Sequence, residues 1–545
     1  MTTNSRRTFL KSIGLTVGAA SANGGIAIAQ QYHNADREIA TPTDWAMYRG
    51  GVGRTGASAQ SGPSSQATTE WSMDLNGGMY ATEPIIADGT LYLAVTTANS
   101  PSNNKGYIAA YDPASGNKKW QQSGFARPST PALDGEGLYV ATSTSSDDDN
   151  TGSFHALDPA TGETKWSREE YHSGSPPVVA AGRVYTDGPG ASALDAASGK
   201  TVWKQDNVTG IASFANGTLF YSSGVALNAA DGSKQWSADT DTVRLHAVSD
   251  GQVYGVGKTD QGLNIQARSA NKGAVQWTSD IADVQYTSHL TVANGRVFFR
   301  TGTYRSSKIM ALDAATGDVA WTYESSDADF GSDVTVADGV LYAGGRTKPG
   351  RGAGEAIIVA LDASSGERKW QHTLGSWEFK EYGPAVFTPV IANNKIFAAT
   401  YPMGSTIDNY YTDHGNFHVI GDQKGSNGDG SGTTTTTTNG DNPTDGGEQT
   451  KTTSTSHQST TATATTNQPS TTSTTTTNQP RSTTATNNTQ PTTTPQTTSA
   501  HSTTRPTQTT TTSTSGQPGF EFLAALGGLA GVGSYLATKM HDSDD

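Results

Sequence analysis

One pattern recurs through the chain and leaves few folds open to it. An Asp, a Gly and a Trp stand four residues apart, as in Asp158/Gly162/Trp166. The other copies are Asp112/Gly116/Trp120, Asp195/Gly199/Trp203, Asn228/Gly232/Trp236, Ser269/Gly273/Trp277, Asp313/Gly317/Trp321 and Asp362/Gly366/Trp370. A repeat of about 44 residues marks stacked copies of one supersecondary unit. A second signal is locked to the first: a tight turn followed by an apolar–aromatic pair. Asp88-Gly89 precedes Leu91-Tyr92, Ala181-Gly182 precedes Val184-Tyr185, and Asn216-Gly217 precedes Leu219-Phe220. Asp250-Gly251, Asn294-Gly295, Asp338-Gly339 and Asn393-Asn394 precede Val253-Tyr254, Val297-Phe298, Leu341-Tyr342 and Ile396-Phe397. A longer turn, Asp134 to Gly137, precedes Leu138-Tyr139 and makes the eighth. Asn-Gly and Asp-Gly accept the positive φ angles of a hairpin turn, so each turn marks two antiparallel strands.

One repeat therefore reads as four strands, in the first copy about 84–87, 91–96, 107–111 and 118–121. The Asp accepts backbone N–H bonds inside the last turn, the Gly takes a conformation that a side chain would strain, and the Trp supplies apolar area. Four-stranded sheets at this period predict an all-β chain, a β-propeller of four-stranded antiparallel blades. The ends set the number. The last repeat stops at Asn416-Phe417-His418-Val419-Ile420 without a Trp strand, while Glu70-Trp71-Ser72-Met73 is a Trp strand with nothing before it. Joining the halves closes an eight-bladed ring without open edges. Seven blades, the second choice, would discard one turn.

The motif A-x-D-x-x-[ST]-G-x-x-x-W is similar to the tryptophan-docking motif of quinoprotein alcohol dehydrogenases. It also resembles the repeats of the bacterial outer-membrane assembly lipoprotein, which has a PQQ-like propeller. Asp44-Trp45-Ala46-Met47-Tyr48-Arg49-Gly50, with Arg54-Thr55-Gly56, looks like the usual start of such propellers. The resemblance spans roughly 44–421. It implies that each Trp, Trp71 included, docks one blade on the next and that the motif itself does not hold the quinone. It also implies, for the dehydrogenases, a disulfide between adjacent Cys and ligands for Ca²⁺. This chain has no Cys, and no Ca²⁺ ligand set or catalytic Asp maps onto it. The expectation is a non-catalytic binding or scaffold module without a cofactor. The alternative is a PQQ- and Ca-dependent quinoprotein dehydrogenase. Gly51-Val52-Gly53-Arg54-Thr55-Gly56 matches G-x-G-x-x-G but lacks the strand and helix of a dinucleotide site.

Both ends read as addresses. Arg6-Arg7, within Ser5-Arg6-Arg7-Thr8-Phe9-Leu10-Lys11, resembles the twin-arginine export motif, and Ala27-Ile28-Ala29 suits cleavage, so 1–29 is a signal peptide and 30–43 a linker. Residues 422–516 are Thr- and Ser-rich and too polar to bury a core, an expected disordered stalk. Pro518-Gly519-Phe520 before the uncharged stretch 522–538 resembles the archaeal PGF-CTERM sorting signal, so 517–545 is expected to anchor the protein at the cell surface, cleaved and lipid-replaced or retained as a span. Asn207, Asn216 and Asn487 begin glycosylation sequons. A formal net charge of −14 argues against nucleic-acid partners.

Binding is expected on the longer loops, those between the second and third strands and those between blades, where a rigid scaffold can vary. Trp377, Phe379, Tyr382, Tyr401, Tyr410, Tyr411 and His414 would share one face there and meet a protein or glycan. Their packing on one another is the plainer alternative. Asp147 and Asp149 are weak Ca²⁺ candidates in a run that otherwise reads as solvated. Arg346, Lys348 and Arg351 could meet an anionic glycan or phosphate, or form a plain Gly-rich hairpin.

Overall fold

The computed structural model describes residues 44–423, apart from 65, 80, 101–102, 144–151, 171–173, 189, 239–241, 261, 283, 285, 304–305, 348–353, 377–382 and 404–413. Eight antiparallel sheets follow one another along the chain, and no helix occurs among the described residues. Blade one is Ile85–Ala87, Thr90–Ser100, Asn103–Tyr111 and Lys118–Ser123, in that order from the innermost strand outward. Its middle hairpin is longer than the sequence pattern suggests. A register shift between Thr96 and Ala98 carries the ladder into the polar stretch beyond Thr96. The turns are those expected: Asp88 and Gly89 have φ of 50° and 68°, as a two-residue hairpin requires.

The ring closes between its two ends. Ala67–Asp74 pairs antiparallel with Asn416–Asp422 and becomes the outermost strand of blade eight, with Trp71 opposite Val419. The innermost strand of that blade is split into Pro384–Val386 and Val390–Ala392. Ala57–Ser58 adds a short parallel strand to the innermost strand of blade seven, Ala328–Ala337.

The repeated Trp is seated by a device shared by all eight blades. Next to each Trp the register between the third and outermost strands shifts, leaving one residue bulged just before it. A bulge bends the strand and re-aims its side chains. Opposite seven of the indoles stands an alanine: Ala110, Ala156, Ala193, Ala226, Ala267, Ala311 and Ala360. The small residue leaves room for the ring. The hairpin aromatic of the same blade flanks it, as Tyr92 does Trp120 at 6.1 Å between centroids.

On its other side each indole lies on the next blade. A Cβ added to Gly162, whose φ is 78°, would stand 2.5 Å from Trp120. The glycine therefore serves the turn and the close approach at once. Gly116, Gly199, Gly317 and Gly366 are under the same double constraint. A Cβ on each would stand 3.1, 2.6, 2.5 and 2.7 Å from Trp71, Trp166, Trp277 and Trp321 of the preceding outermost strand. Gly116 is the loosest of the four, where the ring joins its two chain ends across Trp71. Each motif glycine thus belongs to the indole of the repeat before it, not to the Trp four residues further along its own repeat.

The same junctions carry a hydrogen bond. Trp120 Nε1 donates to the Pro159 carbonyl at 3.0 Å. Trp71, Trp166, Trp203, Trp236, Trp277 and Trp321 donate to Pro113, Ala196, Ala229, Ala270, Ala314 and Ala363 in the same way. Blade eight has no motif of its own, because its outermost strand comes from the other end of the chain. Trp370 donates instead to the Pro63 carbonyl, at 3.2 Å, on the stretch leading into that strand. The motif carboxylates shape turns: Asp158 Oδ1 accepts from the amides of Ala160 and Thr161 at 2.9 and 3.0 Å. Asp112, Asp195, Asp313 and Asp362 accept likewise from the amides of Ser115, Ser198, Thr316 and Ser365. Asn228 does the same for Ala230, whereas Ser269 contributes its backbone carbonyl, to Gly273.

Candidate functional site

The centre of the ring is occupied by residues 45–56, which precede the first blade. The carbonyls of Trp45, Ala46, Val52, Gly53, Thr55 and Gly56 accept from Ile86, Leu133, Phe214, Val248, Val292 and Val336, at 2.8 to 3.1 Å. Those donors belong to the innermost strands of blades one, two, four, five, six and seven, each just before its first turn. Blade three is reached by a side chain, since Arg54 Nη2 donates to the carbonyls of Pro176 and Pro177 at 2.9 and 2.8 Å. The segment thus runs round the channel at the end that carries the short turns. Its glycines are there for clearance. A Cβ on Gly53 would meet the Val248 carbonyl at 2.7 Å, and one on Gly56, φ 64°, would overlap the Arg49 guanidinium. The G-x-G-x-x-G match is thereby explained without a nucleotide.

Polar side chains from several parts of the chain meet inside this turn of backbone. Arg49 is fully buried, Glu83 likewise, and Asp333 is 3% exposed. Asp333 reaches the channel from an irregular stretch of the innermost strand of blade seven, where the register shifts between Phe330 and Val334. Arg49 Nη1 lies 3.6 Å from Glu83 Oε1 and 3.9 Å from Asp333 Oδ2. Its Nη2 donates to the Val334 carbonyl at 2.9 Å and to the Thr291 hydroxyl. Glu83 Oε2 accepts from the Trp45 indole at 2.9 Å and from the Arg49 amide at 2.8 Å. Asp333 Oδ1 accepts from the His289 amide at 2.9 Å, and the Tyr48 hydroxyl stands 3.1 Å from His289 Nδ1.

The two carboxylates are held differently. Burial alone would raise Asp333, but His289 and Arg49 outweigh it and keep the group well below the usual carboxylate range. Burial raises Glu83, opposed by Arg49 and by the donors on its oxygens. The guanidinium stands between the carboxylates, where a bound cation would otherwise compensate them. Among the described residues no group of three or more His, Asp or Glu side chains is placed to hold a metal ion.

Of the aromatic candidates, Tyr401 lies among the described residues. Tyr401 is 6% exposed, inside strand Lys395–Pro402, with Phe387 edge-on at 5.6 Å. It is a packed residue rather than an open-loop anchor, because the second strand of blade eight runs past it. Arg346 is likewise buried in Val340–Thr347. His414 is half-buried, and Asn207 and Asn216 stand exposed on tight turns. Trp377, Phe379, Tyr382, Tyr410, Tyr411, Asp147, Asp149, Lys348, Arg351, Asn487, the Arg6-Arg7 pair and Pro518-Gly519-Phe520 lie outside the described residues. Among the described residues no helix is long and apolar enough to cross a membrane. The sequence reading missed Glu83 and Asp333. Only the opening stretch around Arg49 and Arg54 hinted at the site.

The family profile described as outer membrane protein assembly factor BamB matches residues 63–169, 104–219, 150–254 and 222–409. No curated protein matches by sequence. Among solved structures, a europium-containing methanol dehydrogenase aligns with a TM-score of 0.50 at 12% identity, over 71% of this chain and all of that one. BamB from Moraxella catarrhalis aligns at 0.46 and 16% identity, over 65% and 98%. The quinohemoprotein alcohol dehydrogenase of Comamonas testosteroni aligns at 0.49 and 14%, over 72% and 84%. The first of these likenesses shows the propeller fold and nothing of its chemistry.

Proposed function

The chain belongs to the family of the outer membrane protein assembly factor BamB, and from that premise we propose that it is a non-catalytic scaffold, exported, anchored at the cell surface, and binding a protein or glycan on its long-loop face. The observation that carries this reading is the Arg49 guanidinium between Glu83 and Asp333. The channel of a propeller is where a ligand would find converging acids, and here those acids already have a partner from the same chain.

The residues present do not fit the PQQ- and Ca-dependent alternative. A Ca²⁺ site needs six to eight oxygen ligands. Glu83 and Asp333 instead accept from Trp45, Arg49 and His289, and a positive guanidinium stands between them. The chain also lacks the Cys pair that the resemblance implies for such enzymes. The remaining elements of the proposal rest on sequence: the Arg6-Arg7 motif for export, the Thr-rich 422–516 as a spacer, and 517–545 as the anchor.

The test is reconstitution. Purified protein is given PQQ and Ca²⁺ and assayed for dye-linked oxidation of alcohols and sugars. No turnover above the protein-free blank is expected. Oxidation that depends on both additions would remove the scaffold reading and restore the dehydrogenase.

A further inference from the structure

Three neighbouring innermost strands break their ladders at one level of the channel. In blade five the register shifts between Leu245 and Ala247, so His246 is bulged. In blade six a lone bridge at Thr287 is followed by paired strand only from Thr291, and His289 lies between them. In blade seven the register shifts between Phe330 and Val334, around Asp333. Bulges of this kind re-aim side chains, and they gather beside functional sites. The backbone bonds that seat the opening segment lie two or three residues further on, at Val248, Val292 and Val336. These three residues therefore stand on the long-loop side of that segment. The imidazoles of His246 and His289 lie against each other, with centroids 4.7 Å apart.

The hydrogen bonds fix which nitrogen of each ring carries the hydrogen. His246 Nδ1 accepts from the Leu290 amide at 3.3 Å, so the hydrogen of its neutral ring is on Nε2. Burial, with His289 adding to it, keeps that ring neutral by holding its pKa well below the ordinary value. At His289 the order is reversed. The Tyr48 hydroxyl donates to Asp333 Oδ2 at 3.4 Å, which leaves its oxygen to accept from His289 Nδ1 at 3.1 Å. Asp333 Oδ2 is also 3.4 Å from that nitrogen. His289 therefore carries hydrogen on Nδ1 and, when neutral, a lone pair on Nε2. Neither Nε2 has a partner among the described residues, and neither ring is sealed: His289 is 9% exposed and His246 half-buried. A metal ion would need a lone pair from both rings, which the Leu290 amide denies to His246. One donor beside one acceptor suits a hydroxyl group, which accepts from the first and donates to the second. An oxygen about 2.8 Å from each nitrogen can span rings at this spacing.

We propose that His246 Nε2–H and His289 Nε2 form a site for a hydroxyl of a carbohydrate that enters the channel from the long-loop face. The proposal rests on the glycan branch of the scaffold reading and can fail apart from it, since the dye-linked assay reads turnover and not this contact. The test is NMR titration of the full chain, its histidines isotope-labelled, with methyl glucoside, N-acetylglucosamine and glycerol, and with sodium acetate as the charged control. Before any addition, His246 should show its hydrogen on Nε2 and His289 on Nδ1. At least one sugar should then shift both Nε2 signals in a saturable way, with glycerol doing so only at higher concentration. His246→Asn keeps an acceptor for the Leu290 amide, and His289→Asn keeps a donor for Tyr48 and Asp333, but each loses the outer nitrogen. Both variants should melt near the wild-type temperature and bind the sugar about tenfold more weakly, the loss of one hydrogen bond. The opposite tautomer at either ring, no saturable shift with either sugar, glycerol or acetate bound as tightly as the sugars, or variants that bind as well as wild type would overturn the proposal.

Discussion

Replacing Arg49 by Met is expected to destabilise the ring by about 3–5 kcal/mol, the cost of leaving buried carboxylates without their cation. Glu83 and Asp333 are nearly inaccessible and cannot regain water without opening the blades. The loss should appear as a lower urea midpoint with an unchanged slope, since the surface exposed on unfolding stays the same. A triple variant, Arg49→Met with Glu83→Gln and Asp333→Asn, removes the charges that Arg49 neutralises and should recover a substantial part of the loss. Arg49→Met without effect on the midpoint would mean that the carboxylates are not buried against it.

Acid sensitivity is the second large effect. Burial pushes His155 and His418 down to about 4 from the ordinary 6.5, with His372 adding to the shift at His418. Burial and then His289 push His246 well below its ordinary value. As pH falls below about 6.5 the unfolded chain takes up protons at these rings, whereas in the folded chain His155 and His418 do so only near 4 and His246 well below its ordinary value. Unfolding is therefore coupled to proton uptake, and stability falls across that window. Each histidine contributes at most about 1.4 kcal/mol per pH unit. Asp333, depressed in the fold, adds its loss only below the ordinary carboxylate range. Glu83 works against the trend, because its raised value lets the folded state bind a proton more readily than the unfolded chain. Urea midpoints measured from pH 7 to 4 should fall steadily, and His418→Gln should reduce the slope by about one proton. A flat profile over that range would contradict the burial of these rings.

The ring was legible in the sequence because its information is local. Asp158, Gly162 and Trp166 lie within nine residues, and the turn that opens each blade lies within the same repeat. The half-blades at Trp71 and Asn416 announced the closure for the same reason. What the repeat could not show was which Trp each glycine serves. Gly199 and Gly366 receive Trp166 and Trp321 from the blade before, a pairing that exists only once the blades stand side by side. The bulge before each Trp was present only as the alanine in A-x-D, whose smallness acquires meaning once it stands opposite an indole. The Arg49 centre could not be read in this way. Tyr48 and Asp333, like Arg49 and Val334, are 285 residues apart in the chain. They meet because eight blades set the diameter of a channel that the opening stretch must fill. Tyr401 could not be placed for a related reason: its nearness to a long loop allowed either exposure or packing, and the continuing strand buries it. The G-x-G-x-x-G stretch was set aside as a nucleotide site, and its glycines turn out to let backbone pass close to Val248 and Arg49.

The opening segment is part of the ring's interior rather than a tether to it, and the burial of Glu83 and Asp333 depends on that. Hydrogen exchange of the native protein, read by mass spectrometry on peptides covering residues 45–58, tests this most directly. Protection of these amides equal to that of the innermost strands, such as Thr335–Ala337, is the predicted result. Exchange at the rate of an unstructured linker, with the blades still protected, would show that the channel is open and that Glu83 and Asp333 are available to something else.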